Sequence, residues 1–145
     1  MQYLQKLINE YDKENLFQVL KNTHEQVVAV EEAPCNVTSL KGKSYSHVLI
    51  SGLGGSAIAG DLMKNFLGRQ LTIPVTVNRG YHLPQSVQPG TLVILSSYSG
   101  ETEETLSVMQ ACKERGIPFA AISAGGTLSA SVTDKDGLLT VPKGY

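Results

Sequence analysis

The sequence is poor in features that would bind metal, cross a membrane or leave the reducing interior of a cell. Its two cysteines, Cys35 and Cys112, are far apart and lack the C-x-x-C spacing of a metal or redox site. Two reduced thiols in a cytoplasmic protein are the expectation. No apolar run approaches the ~20 residues needed to span a bilayer. The N-terminus carries Lys6, Glu10 and Asp12 and has no uninterrupted apolar core, so it does not read as a signal peptide. Charge of one sign is also missing. Twelve basic and thirteen acidic residues leave a net charge of −1. No basic field exists to attract nucleic acid or an anionic membrane, so any bound anion must be held by local groups. Internal repeats and low-complexity tracts are absent.

What is present is an ordinary globular composition, 41% hydrophobic and 17% charged, in 145 residues, enough to bury one core without disulfides. Residues 1–33 read as a helical segment. Leu4, Leu7, Ile8 and Tyr11 share one face, and a polar break at Asp12–Asn15 predicts two helices. Residues 34–46 read as loop, after which a domain expected to run over 34–145 alternates strands and helices. Short apolar runs lie at Ser46–Ser51, Ile73–Val77, Thr91–Ser96, Pro118–Ile122 and Gly137–Val141. Between them, helices are expected at 57–67, where Ala57, Leu62 and Phe66 have helical spacing, and at 101–115, with Leu106, Met109, Gln110 and Cys112 inward. A short helix is expected at 128–132. Pro74 places its strand at an edge or at its own first residues. Continuous apolar strands alternating with helices give an α/β fold, a doubly wound five-stranded parallel sheet with flavodoxin-like layering. Ligands of such sheets sit at the carboxyl ends of the strands, where neighbouring crossovers diverge.

Two segments fall at those ends. Ser51-Gly52-Leu53-Gly54-Gly55-Ser56-Ala57 packs three glycines into four residues before a helix expected to begin near Ser56. Unpaired amides and the positive end of the helix dipole suit an anion there. Ser96-Ser97-Tyr98-Ser99-Gly100-Glu101-Thr102 sets three hydroxyls around a second helix start, with Ser99 or Gly100 as the expected N-cap and the amides of Glu101 and Thr102 free. Hydrogen bonds to a charged group contribute about 1.5–3 kcal/mol each, so three or four hold a dianion without a lysine. Against this, Glu101, Glu103 and Glu104 must face away from the anion. The candidate phosphate-binding residues are Gly54, Gly55, Ser56, Ser97, Ser99, Gly100 and Thr102, with no metal and no cofactor.

Gly52-Leu53-Gly54-Gly55-Ser56-Ala57 also satisfies G-x-G-x-x-A, the dinucleotide pattern. The second strand ends in Val77-Asn78-Arg79 without the carboxylate that would bind a ribose. Arg79 leaves NADP as a disfavoured alternative. The histidines His24, His47 and His82 have no evident catalytic partner, and no residue of the chain is assigned a catalytic role.

The two loops together resemble the bifunctional phosphoglucose/phosphomannose isomerases of the SIS (sugar isomerase) superfamily. The segments carrying the likeness are Gly52–Leu62, Arg79–Pro84, Ser96–Thr105, which follows the superfamily's S-x-S-G-x-T-x-E-T signature, and Ser123–Leu128. The resemblance implies a SIS domain that binds glucose 6-phosphate, mannose 6-phosphate or fructose 6-phosphate and serves in their aldose–ketose interconversion. It implies pairing as a homodimer or with a second SIS domain that is absent from this chain and would carry the acid–base groups. SIS domains also occur as phosphosugar sensors in transcription regulators, the alternative role.

Overall fold

The computed structural model describes residues 2–143. The chain divides into two compact units, the larger spanning Pro34–Val141 and the other holding the helices up to Ala33 with the tail that starts at Pro142. The smaller unit has three helices where two were expected: α1 (Gln2–Tyr11), α2 (Leu16–Lys21) and α3 (Thr23–Glu31). The predicted polar break is the reason α2 can start. The Asp12 carboxylate accepts from the amides of Leu16 and Phe17 at 2.7 and 2.8 Å, while Asn15 turns the chain through a left-handed conformation.

The larger unit runs β1 (Cys35–Asn36), a 3-10 turn at Thr38–Leu40, β2 (His47–Ser51), α4 (Gly54–Leu67), β3 (Val75–Asn78), β4 (Thr91–Ser96), α5 (Glu103–Arg115), β5 (Phe119–Ser123), α6 (Gly126–Ala130) and β6 (Gly137–Thr140). The sheet order is β1-β6-β5-β4-β2-β3. Five strands are parallel, as expected, and β1 adds a sixth, antiparallel to β6, in a stretch read from sequence as loop. Two residues pairing with Leu138 and Leu139 are too few to leave a periodic signature. Counted along the chain, the parallel strands follow the flavodoxin-like order 2-1-3-4-5, with the topological switch between β2 and β4. β3 is the edge strand that Pro74 predicted, and the proline sits just before it.

The core lies between one face of the sheet and α5 and α6, where Leu49, Val93, Leu95, Val108, Phe119, Ala121 and Leu128 interlock. Helix α5 turns Thr105, Val108, Met109 and Cys112 inward at spacings of three and four; Gln110, expected inside, is exposed and donates to Glu114. Helix α4 turns its small residues to the sheet. It buries Ala57 and Gly60, leaving Leu62 66% and Phe66 70% exposed. Close approach decides this: a Cβ at Gly60 would lie 3.0 Å from Ile50 Cγ2, so only the small residues fit against β2 and β3. Among the described residues no helix is long and apolar enough to cross a membrane.

Candidate functional site

The carboxyl ends of β2 and β4, adjacent in the sheet, deliver the two predicted loops to one place. Between them lies a cleft of about 600 Å³ lined by Leu53, Gly55, Ser56, Ala59, Ser96, Tyr98, Ser99, Thr102, Ile122 and Val141. Of the candidate residues, Gly55, Ser56, Ser99 and Thr102 line it. Gly54, Ser97 and Gly100 do not.

The first loop leaves β2 at Ser51 and enters α4 within two residues. Gly52 must be glycine, because a Cβ there would lie 2.9 Å from the Ser96 carbonyl oxygen. That contact is what lets the first loop lie directly against the second. Helix α4 starts at Gly54, two residues earlier than expected, so the Ser56 amide is already used by the Leu53 carbonyl at 3.1 Å. The Gly55 amide, on the cleft wall, takes the place expected for it. Leu53 is the N-cap and gives no side-chain cap bond.

The second loop is built differently. Ser97 is 2% exposed. Its Oγ accepts from the Gly100 amide at 3.1 Å and lies 2.8 Å from Thr102 Oγ1. One hydroxyl of this pair donates to the other, so buried Ser97 holds Thr102 Oγ1 in place on the cleft wall. Ser99 Oγ accepts from the Glu101 amide at 3.2 Å, which leaves the Ser99 proton available. The Glu101 amide, expected to be free for a ligand, is occupied by this turn. Helix α5 is N-capped by Thr102 rather than by Ser99 or Gly100, again without a side-chain cap bond. Both helices that open on the cleft thus keep first-turn amides that no capping side chain takes.

The three acidic residues at this helix start do not face the cleft. The Glu101 carboxylate receives the Thr127 amide at 2.6 Å and sits 2.9 and 3.1 Å from the Thr127 hydroxyl. Glu103 accepts from the Tyr81 hydroxyl at 3.4 Å. The charge of Glu104, then desolvation, then the charge of Glu103 hold the Tyr81 phenol above its ordinary pKa. The cleft therefore keeps neutral hydroxyls and amides on its walls, the composition that suits a dianion.

The end of β3 does not have the form a dinucleotide would use. Asn78 occupies it and donates to Ser51 Oγ and to the carbonyls of Gly80 and His82, fixing the loop that follows. Arg79, the residue considered for a ribose 2′-phosphate, pairs with Asp61 on α4. His82 is exposed and outside the cleft lining; His47 meets Thr76 Oγ1 at the opposite, amino end of the strands; His24 lies exposed on α3. No metal-binding cluster occurs among the described residues.

The family model described as the SIS domain matches residues 43–136. The chain belongs to the SIS domain family. The match begins just before β2 and contains both loops, α4, α5 and α6. A bifunctional phosphoglucose/phosphomannose isomerase of Caldicellulosiruptor bescii is 44% identical over 132 residues, an alignment covering 89% of this chain. The chain spans 39% of that relative's length. Among solved structures, the sugar isomerase domain of an RpiR transcription factor from Sphaerobacter thermophilus superposes with a TM-score of 0.65 at 20% identity, covering 90% of this chain and 76% of that one. The Vibrio vulnificus NanR protein, complexed with ManNAc-6P, gives a TM-score of 0.65 at 20% identity over 89% of this chain and 54% of that one. At such identities the two structures establish a shared SIS fold.

Proposed function

We propose that this SIS domain is the phosphosugar-binding half of an aldose–ketose isomerase that interconverts glucose 6-phosphate or mannose 6-phosphate with fructose 6-phosphate. The observation that carries the reading is the convergence of Ser56, Ser99 and Thr102 with two uncapped helix starts on one cleft at the sheet's switch point. The Caldicellulosiruptor relative supports the choice of reaction, since its name states it and its identity to this chain is 44%. In this assignment the Ser56, Ser99 and Thr102 hydroxyls and the Gly55 amide contact the phosphate. Ser97 acts through Thr102, and Gly54 and Gly100 shape the loops.

Isomerisation moves a proton between C1 and C2 and needs a base within hydrogen-bond reach. Among the described residues no histidine, carboxylate or lysine lines the cleft. The acid–base groups accordingly come from a second SIS domain or a second subunit, and the working unit is a cytoplasmic pair of SIS domains.

Calorimetric titration of the chain with glucose 6-phosphate, mannose 6-phosphate and unphosphorylated glucose tests the reading. Both phosphates are expected to bind and glucose to fail. Ser56→Ala and Ser99→Ala should each weaken binding by about 10- to 100-fold, the loss of one hydrogen bond to a charged group. Equal binding of glucose and glucose 6-phosphate, or no effect of either substitution, overturns it.

A further inference from the structure

Glu101 is the one charged residue within the second loop, and its carboxylate ends on another element altogether. Thr127, in the first turn of α6, gives it both its amide and its hydroxyl. The Glu101 backbone amide in turn donates to Ser99 Oγ. Around this clamp the two segments are in close register. The Leu128 amide donates to the Gly100 carbonyl at 2.9 Å, and the Ala124 amide to the Tyr98 carbonyl at 3.0 Å. Ser123, fully buried, donates to the Gly125 carbonyl and accepts from the Gly125 amide. Gly126 has a φ of +69°, and a Cβ there would overlap the Ser99 carbonyl oxygen and the Glu101 carboxylate.

We infer that Glu101 is a positioning residue for the phosphate site: its side chain ties the second loop to α6, and its amide thereby fixes the Ser99 hydroxyl with its proton toward the cleft. The inference rests on the reading of the cleft as a sugar phosphate site and adds to it a residue that never touches the ligand. Its physical content is a choice of sign. A carboxylate acting only as a charge near an anion site opposes phosphate, so removing it tightens binding. A carboxylate acting as a clamp orders a phosphate donor, so removing it loosens binding even though a repelling charge has gone.

Glu101→Ala and Glu101→Gln in the full chain separate these cases, with glucose 6-phosphate as the probe. The clamp predicts that Glu101→Ala weakens binding about fivefold, the scale of a lost helix cap. Glu101→Gln, which keeps an oxygen for the Thr127 amide and drops the charge, should restore affinity to within about twofold of the parent. Tighter or unchanged binding in Glu101→Ala overturns the inference. A second measurement needs no ligand: hydrogen exchange of the Thr127 amide should speed up in Glu101→Ala and recover in Glu101→Gln, and unchanged exchange also overturns it. If the parent chain binds no sugar phosphate, the site reading fails by itself, and the exchange result still decides whether Glu101 holds the two segments together.

Discussion

The two loops that meet at the cleft look alike in sequence, small residues between a strand and a helix, yet they are held in opposite ways. The first, Gly52–Ser56, is nearly bare beyond Gly52. A Cβ built at Gly54 or Gly55 would meet nothing within 4 Å. The second, Ser97–Thr102, is cross-braced internally by Ser97, Thr102 and Ser99 and externally by Tyr98, Gly100 and Glu101 to the segment Ala124–Leu128. One loop supplies open backbone, the other oriented hydroxyls. Backbone amides at a helix start are aimed by the helix itself and need no further support, whereas a serine hydroxyl rotates and must be fixed by its neighbours. The contrast teaches that at the cleft glycine serves access to the ligand, as at Gly55, whereas Gly52 and Gly100 serve the packing that holds the loops in place.

The largest expected effect breaks the second loop. Gly100 has a φ of +73°, and a Cβ there would overlap the Gly125 carbonyl oxygen. Strain at that φ and overpacking add, so Gly100→Ala should lose about 3 kcal/mol or more of stability in urea unfolding. A loss under about 1 kcal/mol would show the bracing to be soft, since strain at that φ alone costs as much. Next comes Ser97→Ala, which removes the hydroxyl that the Gly100 amide and Thr102 share, leaves that amide only the Ser97 carbonyl at 3.2 Å, and should cost about 0.5–1.5 kcal/mol. It should also weaken sugar phosphate binding by unfixing Thr102, although Ser97 lies outside the cleft lining.

Smaller effects fall in the first loop and split there. Gly54, with a φ of +54° in open space, should lose about 1 kcal/mol on replacement by alanine, from backbone strain alone. Gly55→Ala should change stability by less than about 0.5 kcal/mol, because nothing lies in the way, yet lower phosphosugar affinity by placing a methyl group in the cleft. A Gly55→Ala protein that is destabilised and still binds normally would erase the distinction between the loops.

The sheet and the place of the cleft are legible in the sequence because both depend on local patterns. Parallel strands buried on two faces read as apolar runs, and the glycine- and serine-rich turns mark their carboxyl ends. What escapes is set by contacts between distant segments. Thr102 as N-cap and the burial of Ser97 follow from how the turn folds on itself, and Glu101 finds Thr127 26 residues away. The inward face of α4 escapes for a different reason. Its large apolar residues have helical spacing, but the β2–β3 surface accepts only Ala57 and Gly60, so size rather than hydrophobicity decides which face turns in. Strand β1 is too short to register at all.

The two cysteines follow the braced side without any ligand. Cys112, on α5, is buried, and burial pushes its thiol from an ordinary 9.0 up to about 12; Cys35 is exposed. At pH 8 a thiol reagent should modify Cys35 quickly and reach Cys112 only through opening of α5, because the thiolate is the reactive form. The pH dependence has a definite sign. Above pH 9 the unfolded chain releases the Cys112 proton while the folded chain keeps it, so stability falls from about pH 9 toward pH 12, by at most about 1.4 kcal/mol per pH unit. Cys112→Ala should remove that part of the decline. Gly100→Ala should speed Cys112 labelling, since the second loop leads directly into α5, while Gly55→Ala should leave it unchanged. Equal acceleration by both would mean that the braced loop and the bare loop open as one unit.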